Sequence, residues 1–204
     1  MSELRAVICG RRSVRRFRDA EVPRQTILGL VELAAWAPSA GNRQDWLFTV
    51  VTSARTKLAM AEAVRRRWRE IVEANRGAGF IAEVERYAAR FADFEGAPAV
   101  VLVSARRPEA VQRHMLGDAD AAATTGSAAS AAMAAQNFML AAGAAGLGTC
   151  CMTGALAARG ELARIAGLGR KEEIVCLVTL GWPEGEAPAP PPRRPLDQIA
   201  RFPE

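Results

Sequence analysis

The sequence predicts one domain of mixed helices and strands. Its 204 residues suffice for a single sizeable core and force no second one. Half of the residues are hydrophobic, which argues against disorder. Segments with apolar residues at helical spacing alternate with short runs rich in β-branched residues.

Glu3 to Cys9 reads as a short helix stopped near Gly10, and Arg11 to Phe17 as a basic connection. Pro23 starts the next helix, whose Ile27, Leu28, Leu30, Val31, Leu33 and Ala34 form a buried face up to Trp36. The Pro38-Ser39-Ala40-Gly41-Asn42 run is a turn, and Leu47 to Thr52 a strand. From Thr56 to about Phe94 the pattern is helical and charged, with interruptions at Gly77 and Gly79. Pro98 to Ser104 is a continuous apolar run, as in a strand buried on both faces. A long helix follows from about Gly117 to Ala145. Of the 27 residues from Ala119 to Ala145, 14 are Ala, so other backbones can approach it closely and a subunit interface suits it. Gly146 to Met152 leads into a short strand, Gly154 to Ile165 into a helix, and Ile174 to Leu180 into a last core strand ending at Gly181. Pro183 to Pro195 is Pro-rich and extended, and such an arm needs a surface to lie on, for which a partner subunit is natural.

The net charge of +5 suits an anionic ligand and equally a nucleic acid; composition does not separate them. Arg65-Arg66-Arg67-Trp68-Arg69 has the look of a nucleic-acid patch. Helical spacing and nearby Glu62, Glu70 and Glu73 favour a solvated, partly paired face. Cys9, Cys150, Cys151 and Cys176 show no CxxC spacing, so reduced, mostly buried thiols in a cytoplasmic protein are expected. With no positive neighbours in sequence, Cys150 and Cys151 are not expected to be redox thiols. The N-terminus lacks the apolar core of a signal peptide, and no run suits a membrane span. The one histidine, His114, excludes most His-based triads and multi-His metal sites, and no metal is expected. There is no Walker A sequence, and no GxGxxG follows a strand.

Three segments carry chemistry. Arg11-Arg12-Ser13-Val14-Arg15-Arg16-Phe17 packs like charges that need solvent or an anion to neutralise them. Pro38-Ser39-Ala40-Gly41-Asn42-Arg43-Gln44-Asp45-Trp46 offers small hydroxyl and amide groups suited to a polar ring edge. Arg193-Arg194-Pro195-Leu196 supplies more guanidinium, which forks onto phosphate oxygens.

Together these segments resemble the nitroreductase family of FMN-dependent oxidoreductases, nearly end to end. The resemblance implies an α+β fold: a mixed, mainly antiparallel sheet flanked by helices, one domain over residues 1–204 with an extended arm from about 183, in an intertwined homodimer with FMN at the interface. It marks Arg11, Arg12, Ser13 and Arg15, with Arg193 and auxiliary Arg194, for the phosphate and ribityl oxygens. It marks Pro38, Ser39, Ala40 and Asn42 as flavin-edge positions, with Gln44 and Trp46 supporting them; simple core packing is the larger part expected of Trp46. Asp45 stands where the family usually has Pro, restoring a backbone donor and adding a negative charge. Leu147 to Ala155 resembles the strand-to-helix turn beneath the flavin ring, at Cys151, Met152, Thr153 and Gly154, where many members carry Glu at the Thr153 position. Gly154 is the expected backbone donor to flavin N5, stabilising charge developing there.

The implied activity is ping-pong reduction: hydride passes from NADH or NADPH to the flavin, then to a nitroaromatic, quinone, enone or free flavin. Relatives that destroy flavin, dehalogenate or dehydrogenate use a similar site and form the enzymatic alternative. A basic nucleic-acid-binding protein is the alternative from another class.

Overall fold

Four apolar, β-branched runs pair into one sheet that carries the rest of the chain. In the computed structural model, which describes residues 2–77, 79, 81–106, 126–186 and 189–203, these strands are β1 (Trp46–Val51), β2 (Ala99–Arg106), β3 (Gly148–Met152) and β4 (Glu172–Gly181). Their order is β1-β2-β4-β3, antiparallel throughout. The inner strands β2 and β4 are buried on both faces, so they need no alternation of apolar and polar residues. A register shift between Val103 and Ser104 marks a bulge in β2.

Helices cover both faces. On one side lie α2 (Arg24–Ala34) and α5 (Gly126–Ala144), whose Ile27, Leu30, Ala34, Ala131, Ala135, Phe138 and Ala142 meet Val101, Val103, Cys176 and Val178. Alanine on α5 leaves little between backbones, which lets α2 and the sheet both reach it. On the other side lie α3 (Ala54–Ala74) and α6 (Arg159–Ile165), where Met60, Ala61, Val64 and Leu162 pack on Val100, Leu102, Leu177 and Cys150. The remaining helices are α1 (Ser2–Gly10) and α4 (Ile81–Ala88).

Several expectations shift. The charged helix begins at Ala54, ends at Ala74 and resumes in α4; Gly77, at φ 96°, lies in the break. The Ala-rich helix is described from Gly126, and residues 117–125, like His114, lie outside the described residues. On α2, Leu28 and Leu33 were expected inside but are about half exposed, and Trp36 is 82% exposed. They flank the stripe formed by Ile27, Leu30 and Ala34, so the core takes a narrower face than the helix offers. Residues 189–203 are exposed, with a short 3-10 turn at Leu196–Gln198. Among the described residues no helix is long and apolar enough to cross a membrane.

Candidate functional site

The basic connection runs along the outer edge of β3. Val14 N donates to Thr149 O at 2.9 Å, and Ser13 forms a parallel bridge with Thr149. The approach is close because position 148 has no side chain: a Cβ on Gly148 would stand 2.7 Å from Val14 Cβ. Arg11 and Arg12 thereby line a pocket of about 340 Å³ with Gly143, Gly146, Gly148 and Thr149. Arg12 also donates through Nη1 to Cys9 O at 2.6 Å and Arg11 O at 2.9 Å, binding carbonyl groups at the end of α1. Two guanidinium groups over a glycine-lined wall suit an anionic ligand.

The same edge brings the cysteines among the arginines. Burial pushes the Cys150 thiol up, against the pull of Arg15, Ser13 and Arg11. Cys151 points to the opposite face and is exposed. Its interaction with Cys176 and the charge of Arg11 lower its pKa, against the desolvation of the strand around it. Cys176, buried and beside that sulfur, is pushed up. Sequence proximity gave no hint of this, since Arg11 comes from 140 residues away in the chain.

Beyond β3, Thr153 leads into a 3-10 turn at Gly154–Ala158. Gly154 is required here for close packing: a Cβ would meet Phe91 Cδ1 at 2.0 Å. Trp68 Nε1 donates to Gly154 O at 3.0 Å, and the Trp68 and Phe91 rings lie 4.8 Å apart. The close approach expected at Gly154 is thus made by an aromatic side chain of this chain. Trp68 and Phe91 were not foreseen as its neighbours; no local pattern connects residues 86 and 63 positions away.

The middle loop packs elsewhere, on the first turn of α5. Gly41, Asn42 and Gln44 have φ of 61°, 51° and 52°, in the left-handed region. Ser39 Oγ accepts from Gln44 N at 3.1 Å, and Gln44 Nε2 donates to Asn42 Oδ1 at 3.2 Å. Asp45 Oδ2 accepts from Arg43 Nε at 2.8 Å and from Ser127 Oγ at 3.0 Å, tying the loop to α5. Trp46 is half-buried against the core, as expected.

The loop meets α5 at Gly126, whose Cβ position would be 3.1 Å from Ala40 Cβ, whereas the basic pocket reaches α5 at Gly143. At 1.5 Å per residue these points are about 26 Å apart along the helix. Within one chain the structure therefore does not bring Pro38, Ser39, Ala40 and Asn42 together with Arg11 and Arg12. Pro195, Arg193 and Arg194 lie in the exposed arm.

The arginine run on α3 is largely paired. Arg65 bridges to Glu95 (Nη1–Oε2 3.0 Å), which raises its pKa; Arg66 pairs with Glu161, and Arg67 with Glu70 at 3.1 Å. Only Glu70 was an expected partner; the others come from other elements. Between α3 and α4 this face borders a cleft of about 790 Å³.

The fold and its basic edge define an α+β protein with a place for an anionic cofactor. The Nitroreductase family profile matches residues 8–182, and the chain belongs to that family. The 4-nitrobenzoate reductase of Nocardioides sp. (strain LMS-CY) is 30% identical over 234 residues, spanning 97% of this chain and 88% of the relative. A BluB-like flavoprotein from Clostridium difficile 630 superposes with a TM-score of 0.83 at 23% identity, over 98% of this chain and 99% of the other. The nitroreductase NfnB of Mycobacterium smegmatis, solved with NADPH, gives a TM-score of 0.72 at 24% identity, over 100% and 99%.

Proposed function

We propose that the protein is an FMN-dependent oxidoreductase that carries hydride from NADH or NADPH to an electron-poor acceptor by a ping-pong route. The observation carrying this is the pocket at the β3 edge, where Arg11 and Arg12 stand over a wall of glycines. FMN, when bound, supplies the chemistry by taking hydride at N5 and passing it on. The donor set fits that cofactor. Arg11, Arg12, Ser13 and Arg15, with Arg193 and Arg194 of the arm, bind its phosphate and ribityl oxygens. Pro38, Ser39, Ala40 and Asn42 hold the ring edge. Backbone at Cys151, Met152, Thr153 and Gly154 would lie beneath the ring, and the Gly154 N–H would be the donor that steadies developing charge.

Two chains share each site in this reading. The loop and the pocket sit about 26 Å apart along α5, so one chain supplies Arg11 and Arg12 while its partner supplies Ser39 and Asn42. The chain is one domain with its arm, from about 183, laid on the partner. A cytoplasmic setting suits four free thiols. The 4-nitrobenzoate reductase relative favours a nitroaromatic acceptor over quinones and enones. Nucleic acid is disfavoured as a partner because glutamates already occupy Arg65, Arg66 and Arg67.

The purified full-length protein should be yellow, release FMN on denaturation, and bleach on addition of NADH or NADPH. Arg12→Ala and Arg193→Ala should each weaken FMN binding about tenfold to a hundredfold, for a lost charge-assisted contact of about 1.5–3 kcal/mol. A colourless protein that takes up no added FMN would refute the reading; a yellow protein that neither nicotinamide bleaches would replace reduction with another flavin reaction.

A further inference from the structure

The turn after β3 is held from outside by two aromatic side chains. Trp68, half-buried on α3, donates through Nε1 to Gly154 O at 3.0 Å from 86 positions away in the chain. Phe91 stands against the Trp68 ring, with centroids 4.8 Å apart and planes tilted by 34°. It also covers the Gly154 Cα so closely that a Cβ there would meet Phe91 Cδ1 at 2.0 Å. Trp68 is mounted on a fixed element: Met60, Ala61 and Val64 of α3 are buried, and Arg65 and Arg66 tie the helix to Glu95 and Glu161. Its ring also borders the cleft of about 790 Å³ between α3 and α4, so it is not enclosed as a core residue is.

We propose that Trp68, with Phe91, is a positioning pair that fixes the peptide groups of Gly154 and so aims the Gly154 N–H at flavin N5. The aim rests on the reading that this N–H is the donor to N5; the contacts of the pair do not. The N–H and C=O of Gly154 flank one Cα without a side chain, so the residue itself does little to restrict rotation about that Cα. A donor helps only when it is held where charge develops, and a misplacement of about 1 Å is costly. The Phe91 ring blocks displacement of the Cα, and the Trp68 N–H fixes the carbonyl and with it the angle about the Cα. The pair acts through Gly154, as a brace and not as a catalytic group.

The test compares the wild-type holoprotein with Trp68→Phe, which keeps an aromatic ring and removes the donor. Trp182→Phe makes the same change at a bond to Glu21 O, 3.2 Å long and against the other core, and serves as control. Each protein is loaded with FMN carrying the heavy nitrogen isotope at N5, and the N5 resonance is read by NMR. A ring nitrogen that accepts a hydrogen bond resonates upfield of one that accepts none. Trp68→Phe should move N5 downfield by several parts per million. It should also slow bleaching by NADH or NADPH at saturating FMN about twofold to tenfold, the range of one neutral hydrogen bond. Phe91→Leu loosens the cover on the Cα and keeps the bond; it should shift the resonance the same way, and it carries the test if Trp68→Phe does not fold. Trp182→Phe should change neither readout. In the apoproteins, amide exchange over residues 153–156 should be faster in Trp68→Phe than in the wild type.

An N5 resonance unmoved in Trp68→Phe and Phe91→Leu, or moved as far by Trp182→Phe, overturns the positioning role while the flavin reading stands. Unchanged exchange in the Trp68→Phe apoprotein overturns the brace itself. A wild-type N5 resonance already at the unbonded position removes Gly154 as donor, and the positioning role with it. If the protein takes up no FMN, the flavin reading fails and the positioning role fails with it.

Discussion

Asp45→Ala removes the acceptor on which the middle loop hangs. Its Oδ2 receives Arg43 Nε at 2.8 Å and Ser127 Oγ at 3.0 Å, and Arg43 Nη2 reaches Ser127 Oγ at 3.3 Å. Arg43 is 38% exposed, so its ion pair contributes up to about 1 kcal/mol. Ser127 is 3% exposed, and a hydrogen bond from a buried hydroxyl to a carboxylate contributes about 1.5–3 kcal/mol. Loss of both should cost about 1.5–4 kcal/mol, which for a chain of this size lowers Tm by about 3–16 °C. The loop also holds Asn42 and Gln44 at positive φ, a conformation that side-chain-bearing residues keep only when their surroundings impose it. Release should therefore be felt at Ser39 and Asn42 and, in the proposed site, in FMN affinity. Thermal melts of Asp45→Ala, Ser127→Ala and the double variant form a cycle whose coupling should exceed about 1 kcal/mol. Additivity within about 0.5 kcal/mol would show that the two residues do not act on each other, and would refute the role assigned to Asp45.

Other perturbations follow from the same geometry. Gly154→Ala places a methyl group where Phe91 lies and should destabilise by at least about 1–3 kcal/mol in urea unfolding, with Phe91→Ala in the same chain restoring part of the loss; no change in midpoint would contradict the packing at the turn. Lys57, 7% exposed, donates through Nζ to Ala97 O and Pro98 O, and burial holds its pKa below 10.5 despite the pull of Asp19. Between that lowered value and 10.5 the unfolded chain keeps a proton that the folded chain has released, so stability should rise with pH across this window. Lys57→Met should remove that rise, and a wild type with no rise in this alkaline window would rule the effect out. Truncation after Trp182 removes the arm and should weaken both self-association and FMN retention; a full-length holoprotein that sediments as a stable monomer would refute the shared site.

Where one period decided an element, the sequence was readable. The continuous apolar run at Pro98 to Ser104 became β2, buried on both faces, and the Ala-rich run became α5. The resemblance also carried the order of segments correctly, because each motif sits at a junction between elements. Contacts between distant segments were a different matter. Leu28 and Leu33 have the apolar character of a core face, yet α2 offers more apolar width than α5 and the sheet cover. Phe91 over Gly154 and Arg11 beside Cys151 arise from tertiary placement, on which local spacing is silent. The thiols are the clearest case: they have no positive neighbours in sequence, yet Arg11 and Arg15 act on them from another segment.

The length of α5 decides how the candidate site must be assembled. A helix of 19 residues separates its own ends by about 27 Å, and no rearrangement of side chains closes that distance. Arg11 and Arg12 are fixed to its far end through α1 and β3, while Arg43 and Asp45 fix the loop to its first turn through Ser127. If loop and pocket serve one flavin, the chain must meet a second copy running the other way. Leu28 and Leu33 on either side of the buried stripe of α2, Trp36 just beyond that helix, and Met133 on α5 leave exposed apolar side chains for such a contact. In the proposed two-chain site, the rigid helix that keeps the two halves apart within a chain is what calls for the second chain.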